Sequence, residues 1–248
     1  MTEYAIEVKN LTVQYDDLVV LENISFTIKR GEIFIILGGS GCGKTTLMRH
    51  LIGLETPRKG EIYICGNRIT HDNHDIILRN IGVMFQSGAL FGSRTLLENI
   101  ALSLEEFTDL SPDMIREVAN NKLKLVGLNG FADYYPSEIS GGMQKRAAIA
   151  RAMALDPKII FLDEPSAGLD PITAGELDKL IINLSRTLNI TFVVVTHELT
   201  SINTIADRAI MLNNKKILAE GTIDYLKTEV DTPFVQQFFN PLTQNGKT

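Results

Sequence analysis

The sequence predicts an α/β fold: a mostly parallel sheet, a small antiparallel sheet ahead of it, and a helical block inserted between the halves of the core. Three observations carry this. Ile33-Phe-Ile-Ile-Leu37 is continuously apolar, as a strand covered on both faces should be, and it runs into a glycine-rich turn and a helix starting near Gly43. Short runs around it alternate apolar with polar, the pattern of a half-exposed antiparallel sheet. After Ile159 strand-like and helix-like segments alternate, which implies parallel pairing through helical crossovers.

In chain order, the alternating runs are Ala5-Ile-Glu-Val8, Leu11-Thr-Val-Gln-Tyr15, Ile24-Ser-Phe-Thr-Ile28 and Glu61-Ile-Tyr-Ile64. From about Leu90 to Leu155 the spacing becomes helical. Ser111-Pro-Asp113 supplies a cap, a proline at the first helical position and an acid in the first turn, and Gly127 marks the stop. Strand Ile159–Leu162, a helix around Ala174–Leu188 and strand Thr191–Val195 complete the core. The expected organisation is one domain over residues 1–221, with the helical insertion at about 90–155, and a C-terminal extension over 222–248.

A chain of 248 residues can bury one large α/β core or two small ones. Its net charge of −6 offers no basic footprint for a phosphate backbone, so nucleic acid is not an expected partner. Apolar runs such as Phe192–Val195 fall far short of the roughly 18 residues that cross a bilayer. Met1-Thr-Glu-Tyr-Ala5 shows no secretory pattern, and two cysteines in unrelated settings, Cys42 and Cys65, fit a reducing compartment; a cytoplasmic location is expected.

Gly38-Gly-Ser-Gly-Cys-Gly-Lys-Thr45 matches the P-loop pattern G-x-x-x-x-G-K-[ST] in the strand–turn–helix context that the pattern requires. The cradle read here comprises Gly38, Gly39, Ser40, Gly41, Cys42, Gly43, Lys44, Thr45 and Thr46. Glycines let backbone N–H groups approach phosphate, Lys44 brings a point charge to the β and γ groups, and Thr45 offers a hydroxyl to Mg²⁺. Cys42, at a helix start beside Lys44, is expected to have a lowered pKa and to be open to inhibitory alkylation, with ATP protecting. Asp163 and Glu164 close an apolar strand at its carboxyl end, where ligands bind in open α/β sheets, although four apolar residues before two acids also describe an ordinary strand end. Further on, Ser140, Gly141 and Gly142 form a second glycine turn opening a helix, a second natural phosphate grip.

Together these motifs resemble the ATP-binding cassette family, in the family's order, from Tyr15 to about Glu220. The resemblance implies a P-loop NTPase cassette with a RecA-like core, an N-terminal antiparallel β subdomain and an inserted α-helical subdomain. It implies ATP and Mg²⁺ as cofactors. Thr45, Gln86 and Asp163 would face the metal, Glu164 would polarise the attacking water, and Gln86 and His197 would contact the reacting end beside Lys44. Tyr15 fits the adenine-stacking aromatic, with an ordinary strand tyrosine as the other reading. Ser140-Gly-Gly142 is the family's signature turn, usually Leu-Ser-Gly-Gly-Gln, from which Ile139 and Met143 depart. That turn completes the ATP site of a second copy of the chain in a head-to-tail dimer, and Asp170 would belong to the loop through which the two copies sense each other.

Chain anatomy narrows the branch. No long coiled coil separates P-loop from signature, as in chromosome-maintenance relatives, and there is one cassette rather than the two of translation-factor relatives. Phe85-Gln-Ser-Gly-Ala-Leu-Phe91 and Ser140-Gly-Gly-Met143 resemble the Mla-type branch, which drives phospholipid transport between the two membranes of diderm bacteria. That resemblance implies a peripheral subunit on the cytoplasmic side of the inner membrane. Its implied partners are an MlaE-like permease, an MCE-domain protein and a small STAS-domain subunit. Asp163–Pro171 is shared with other importers, so the ATPase of an amino-acid or other small-solute importer is the alternative.

Two further segments carry expectations. Asp231–Asn240 reads as a short capped helix with Pro233 near its start and an apolar face of Phe234, Val235, Phe238 and Phe239, packed either on its own core or on a second protomer or accessory subunit. His71, Asp72, His74 and Asp75 read as a solvated loop rather than a metal cluster.

Overall fold

The computed structural model describes residues 3–240, except for the side chains of residues 71, 75 and 76. Strands β1 (Tyr4–Tyr15) and β2 (Leu18–Lys29) form a long antiparallel pair, followed by β3 (Ile33–Gly38), helix α1 (Lys44–Leu51), β4 (Lys59–Ile64) and β5 (Asn67–Arg68). Helix α2 (His74–Leu78) leads to β6 (Ile81–Met84), then α3 (Leu96–Phe107), α4 (Pro112–Leu125) and α5 (Gly141–Ala152). The chain returns through β7 (Ile159–Asp163), α6 (Pro171–Leu188), β8 (Thr191–Val195), α7 (Leu199–Ile205), β9 (Arg208–Asn213) and β10 (Lys216–Gly221). Helices α8 (Ile223–Thr228) and α9 (Pro233–Phe239) follow.

Two sheets result. Four strands in the order β2-β1-β4-β5 pair antiparallel, and six in the order β10-β9-β3-β8-β7-β6 pair parallel except at β10. The apolar run of β3 is explained by its two covers: Ile33, Ile35 and Leu37 face a core of helices, whereas Phe34 and Ile36 face a second core shared with α1 and the antiparallel sheet. Strands β7 and β8 split the same way, Ile160 and Leu162 against Ile159 and Phe161, Phe192 and Val194 against Val193 and Val195. Each such side chain, fully buried, contributes about 1.5–3 kcal/mol.

β1 and β2 are longer than the short runs the alternation predicts, twelve residues each. The interruptions in the pattern are bulges: Asn10 and Asn23 take positive φ (50° and 52°), and their N–H groups donate to Ser25 Oγ at 2.8 Å and Thr12 Oγ1 at 3.2 Å instead of to the ladder. Beside the bulge, β4 approaches so closely that a Cβ on Gly60 would lie 2.5 Å from Asn10 O. The helix expected around Ala174 starts three residues earlier at Pro171, because Asp170 caps it. The segment from His71 is not a loop but a short 3-10 turn (His71–Asn73) running into α2; His74 Nε2 lies 2.8 Å from Gly53 O, while the side chains of His71 and Asp75 lie outside the described residues.

α9 forms where the capped helix was expected, and its apolar face packs on its own chain: Val235 is fully buried in the helical-face core, with Phe234, Phe238 and Phe239 partly buried against it. Between α6 and α7 sits a buried carboxyl, Asp178, to which Ser201 donates a hydrogen bond. Burial raises its pKa, so the folded chain favours the protonated acid. Its stability contribution is therefore full at acid pH and lost as pH rises through the raised pKa. Asp178→Asn is expected to raise the melting temperature at pH 8, by about 2–4 °C per kcal/mol recovered, with the gain vanishing towards pH 4.

Candidate functional site

β3 delivers the chain to its carboxyl end at Gly38, where a glycine-rich turn leads to α1. Gly38 (φ 148°) and Gly43 (φ 100°) adopt backbone that side chains rarely take, and a Cβ on Gly38 would lie 2.5 Å from Leu212 O of the neighbouring strand. Lys44 opens α1, its Nζ donating to the carbonyls of Gly38 and Gly39 at 2.9 Å each. The ammonium is thereby held over the loop. Thr46 lies two positions further, its carbonyl 2.9 Å from His50 Nδ1.

β8, next to β3 in the sheet, and β7 beyond it end in polar residues at the same edge. Asp163 is buried at the end of β7, and that burial, reinforced by the neighbouring Glu164 charge, raises its pKa, while Lys44 opposes the shift. Glu164 holds φ 46°, costly for a residue with a side chain, and its N–H donates to Val195 O at 2.8 Å. His197, just beyond β8, places Nδ1 2.7 Å from Glu164 Oε1, while buried Oε2 has no hydrogen-bond partner among the described residues. One oxygen of the carboxylate is thus oriented by an imidazole.

Thr45, Gln86 and Asp163 line one open cleft of ≈ 640 Å³ together with Arg49, Phe85, Ala167 and Gly168. Thus the sheet brings together three oxygen donors from three separate sequence segments. A hydroxyl, an amide oxygen and a carboxylate form a hard donor set that suits Mg²⁺ completed by phosphate oxygens and water. Gly39, Ser40, Gly41 and Cys42 line the other side of the loop, in a groove shared with Phe234.

Tyr15 ends β1, half exposed, with its hydroxyl donating to Glu55, which also pairs with Arg49 of α1 at 3.3 Å. The hydrogen bond to Glu55 raises the tyrosine pKa. The ring is therefore tethered to the P-loop helix through Glu55, a residue the sequence did not single out.

Ser140 caps α5, its Oγ accepting from Met143 N at 3.3 Å. Among the described residues, none of Ser140, Gly141 and Gly142 lines the cleft of Thr45, Gln86 and Asp163 or the groove along Gly39–Cys42. It packs instead beside the start of α6, where a Cβ on Gly142 would lie 2.4 Å from Thr173 Cγ2. Asp170 caps α6 through Ile172 N (3.0 Å), Thr173 N (3.1 Å) and Thr173 Oγ1 (2.6 Å), and the Thr173 hydroxyl foremost lowers its pKa.

The family model described as "ABC transporter" matches residues 21–167, more than half of the chain. The chain belongs to the ABC transporter family. The cassette is 42% identical to the "Intermembrane phospholipid transport system ATP-binding protein MlaF" of Haemophilus influenzae over 95% of this chain and 90% of that protein. It is 41% identical to the "Probable ribonucleotide transport ATP-binding protein mkl" of Mycobacterium leprae, over 95% of this chain and 69% of that one. Among solved structures it is similar to the dimeric cassette MJ0796 in a post-hydrolysis state bound to ADP and Pi: TM-score 0.79, 33% identity, covering 88% of this chain and 98% of that one. The cassette binds and hydrolyses ATP, and the similar cassette MJ0796 is a dimer.

One expectation fails at the cassette's P-loop. Burial raises the Cys42 pKa, outweighing the Lys44 charge and the hydrogen bonds that pull it down, so the thiol is protonated at neutral pH instead of activated. Iodoacetamide labelling at pH 7 is expected to be slower than for a free model thiol and to accelerate only as pH climbs above the usual thiol range. Labelling as fast as the model thiol at pH 7 would contradict this.

Proposed function

We propose that this cassette is the ATP-hydrolysing subunit of an Mla-type phospholipid transporter. The observation that carries the hydrolytic part is the convergence of Thr45, Gln86 and Asp163 on one cleft, beside a Glu164 carboxylate held by His197. Loop amides from Gly38 to Thr46 and the Lys44 ammonium hold the phosphates, and Tyr15 stacks on adenine. Glu164 takes the proton of the attacking water through its free oxygen while His197 fixes the carboxylate and reaches towards the γ-phosphate. Gln86 orients that water. Thr45, Gln86 and Asp163 would hold Mg²⁺, which when bound would neutralise phosphate charge. The Ser140 turn, which lines neither the cleft nor the groove beside its own P-loop, closes on the ATP of a second copy, with Asp170 near the junction, so the active unit is a head-to-tail dimer.

The lipid part rests on the 42% identity to MlaF over nearly the whole chain and on the Phe85–Phe91 and Ser140–Met143 variants. The partners proposed are an MlaE-like permease, an MCE-domain protein and a STAS-domain subunit. No helix among the described residues is long and apolar enough to cross a membrane; attachment to the cytoplasmic side of the inner membrane is proposed to run through the permease. Residues 1–221 are read as the cassette and 222–248 as its extension.

Affinity purification of the native complex, followed by mass spectrometry of its proteins and lipids, tests this reading. Phospholipid with an MlaE-like permease supports it. A permease carrying ribonucleotide, the cargo in the name of the mkl relative, or an amino-acid permease without lipid, contradicts it.

A further inference from the structure

The loop that carries Gln86 is bent by two consecutive left-handed residues, Gly88 (φ 73°) and Ala89 (φ 49°). For alanine that backbone costs about 1–2 kcal/mol, so something outside the loop holds it. The loop's carbonyls show what does. Lys145 Nζ donates to Gln86 O; Arg151 Nη2 donates to Gly88 O at 2.9 Å and Nη1 to Ala89 O at 2.6 Å. At the loop's far end, Phe91 N–H donates to the buried Asn99 Oδ1 of α3 at 2.8 Å.

Both cations sit on α5, about one and a half and three turns beyond the Ser140 cap. Lys145 is buried and Arg151 is partly so, and neither forms an ion pair among the described residues. A buried cation is usually matched by an acid; these two are matched by the carbonyls of a single loop.

We propose that Lys145 and Arg151 are positioning residues for hydrolysis, clamping the Gln86 loop to the helix opened by Ser140 so that loop and signature turn travel as one rigid piece. The kinetic consequence rests on the role assigned above to Gln86. Because the guanidinium spans two adjacent carbonyls as a planar fork, lysine at position 151 keeps the charge and loses the second bond. Arginine at 145, in contrast, still reaches one carbonyl.

The test uses the full-length protein with Lys145→Met, Lys145→Arg and Arg151→Lys, read by amide hydrogen exchange and by ATPase kinetics. Exchange in peptides spanning residues 86–91 is expected to rise about tenfold in Lys145→Met and Arg151→Lys, with peptides over residues 38–46 unchanged. Their kcat is expected to fall about 10- to 100-fold with the Kd for ATP nearly constant, Lys145→Arg to recover most of it, and Gln86→Ala to add no further loss to either. Unchanged exchange at 86–91, an arginine at 145 as damaging as methionine, or losses that multiply with Gln86→Ala would overturn the clamp. If Lys145→Met does not fold, Arg151→Lys carries the same comparison. Exchange reads the clamp by itself and Gln86→Ala alone reads the glutamine's role, so failure of one is told from failure of the other.

Discussion

Replacing Glu164 with glutamine is expected to stop turnover and leave ATP bound, lowering kcat by about 10²–10⁴-fold, the usual contribution of a positioned base. The substitution is nearly isosteric, so the left-handed backbone at 164 and its N–H bond to Val195 O have no reason to move. What is removed is the charge on the buried oxygen without a partner, and with it the ability to take a proton. His197 can still donate to the amide oxygen. Phosphate release should therefore fall while ATP affinity holds and two protomers stay closed on nucleotide. Steady-state phosphate release and nucleotide titration on the same sample check both halves; turnover at the original rate would mean that Glu164 is not the base.

Lys44→Ala is expected to fail differently. Its ammonium, lying over the carbonyls of Gly38 and Gly39, is a fixed positive charge on the phosphate cradle itself. Removing one such preorganised group lowers kcat by about 10²–10³-fold, and because lysine also serves the bound ground state, ATP affinity should fall as well. The pair of variants thus separates chemistry from binding: Glu164→Gln keeps the Kd for ATP, Lys44→Ala raises it. Equal Kd values in the two proteins would contradict the division of roles.

Much of this was legible because the site sits where strong local signals end. Ile33–Leu37 and Thr191–Val195 read as doubly covered strands because both faces of β3 and β8 meet apolar layers, and the P-loop announces itself through glycines whose φ values only glycine takes easily. Residues set by tertiary approach were harder to read. β9 and β10 went unmarked: their two-residue turn, Asn214-Lys215 with φ 46° and 68°, is a primed hairpin turn without the Asn-Gly signal that usually flags one. Thr95-x-x-Glu98 is a full capping box for α3, a signal the sequence carries openly. Glu55, Lys145 and Arg151 act on backbone or side chains 40 to 63 residues away, and no periodicity encodes that. Cys42 was misread because sequence shows the neighbouring Lys44 charge but not the burial that outweighs it.

The central claim is that each ATP is held by the P-loop of one chain and the Ser140 turn of another. Light scattering on Glu164→Gln with and without ATP tests it most directly, set beside the same protein carrying Ser140→Arg. Mass should rise from 27.5 kDa towards twice that value on adding ATP, and the added arginine should block the rise while nucleotide titration still shows ATP on the P-loop. ATP-dependent doubling that survives Ser140→Arg would contradict the account.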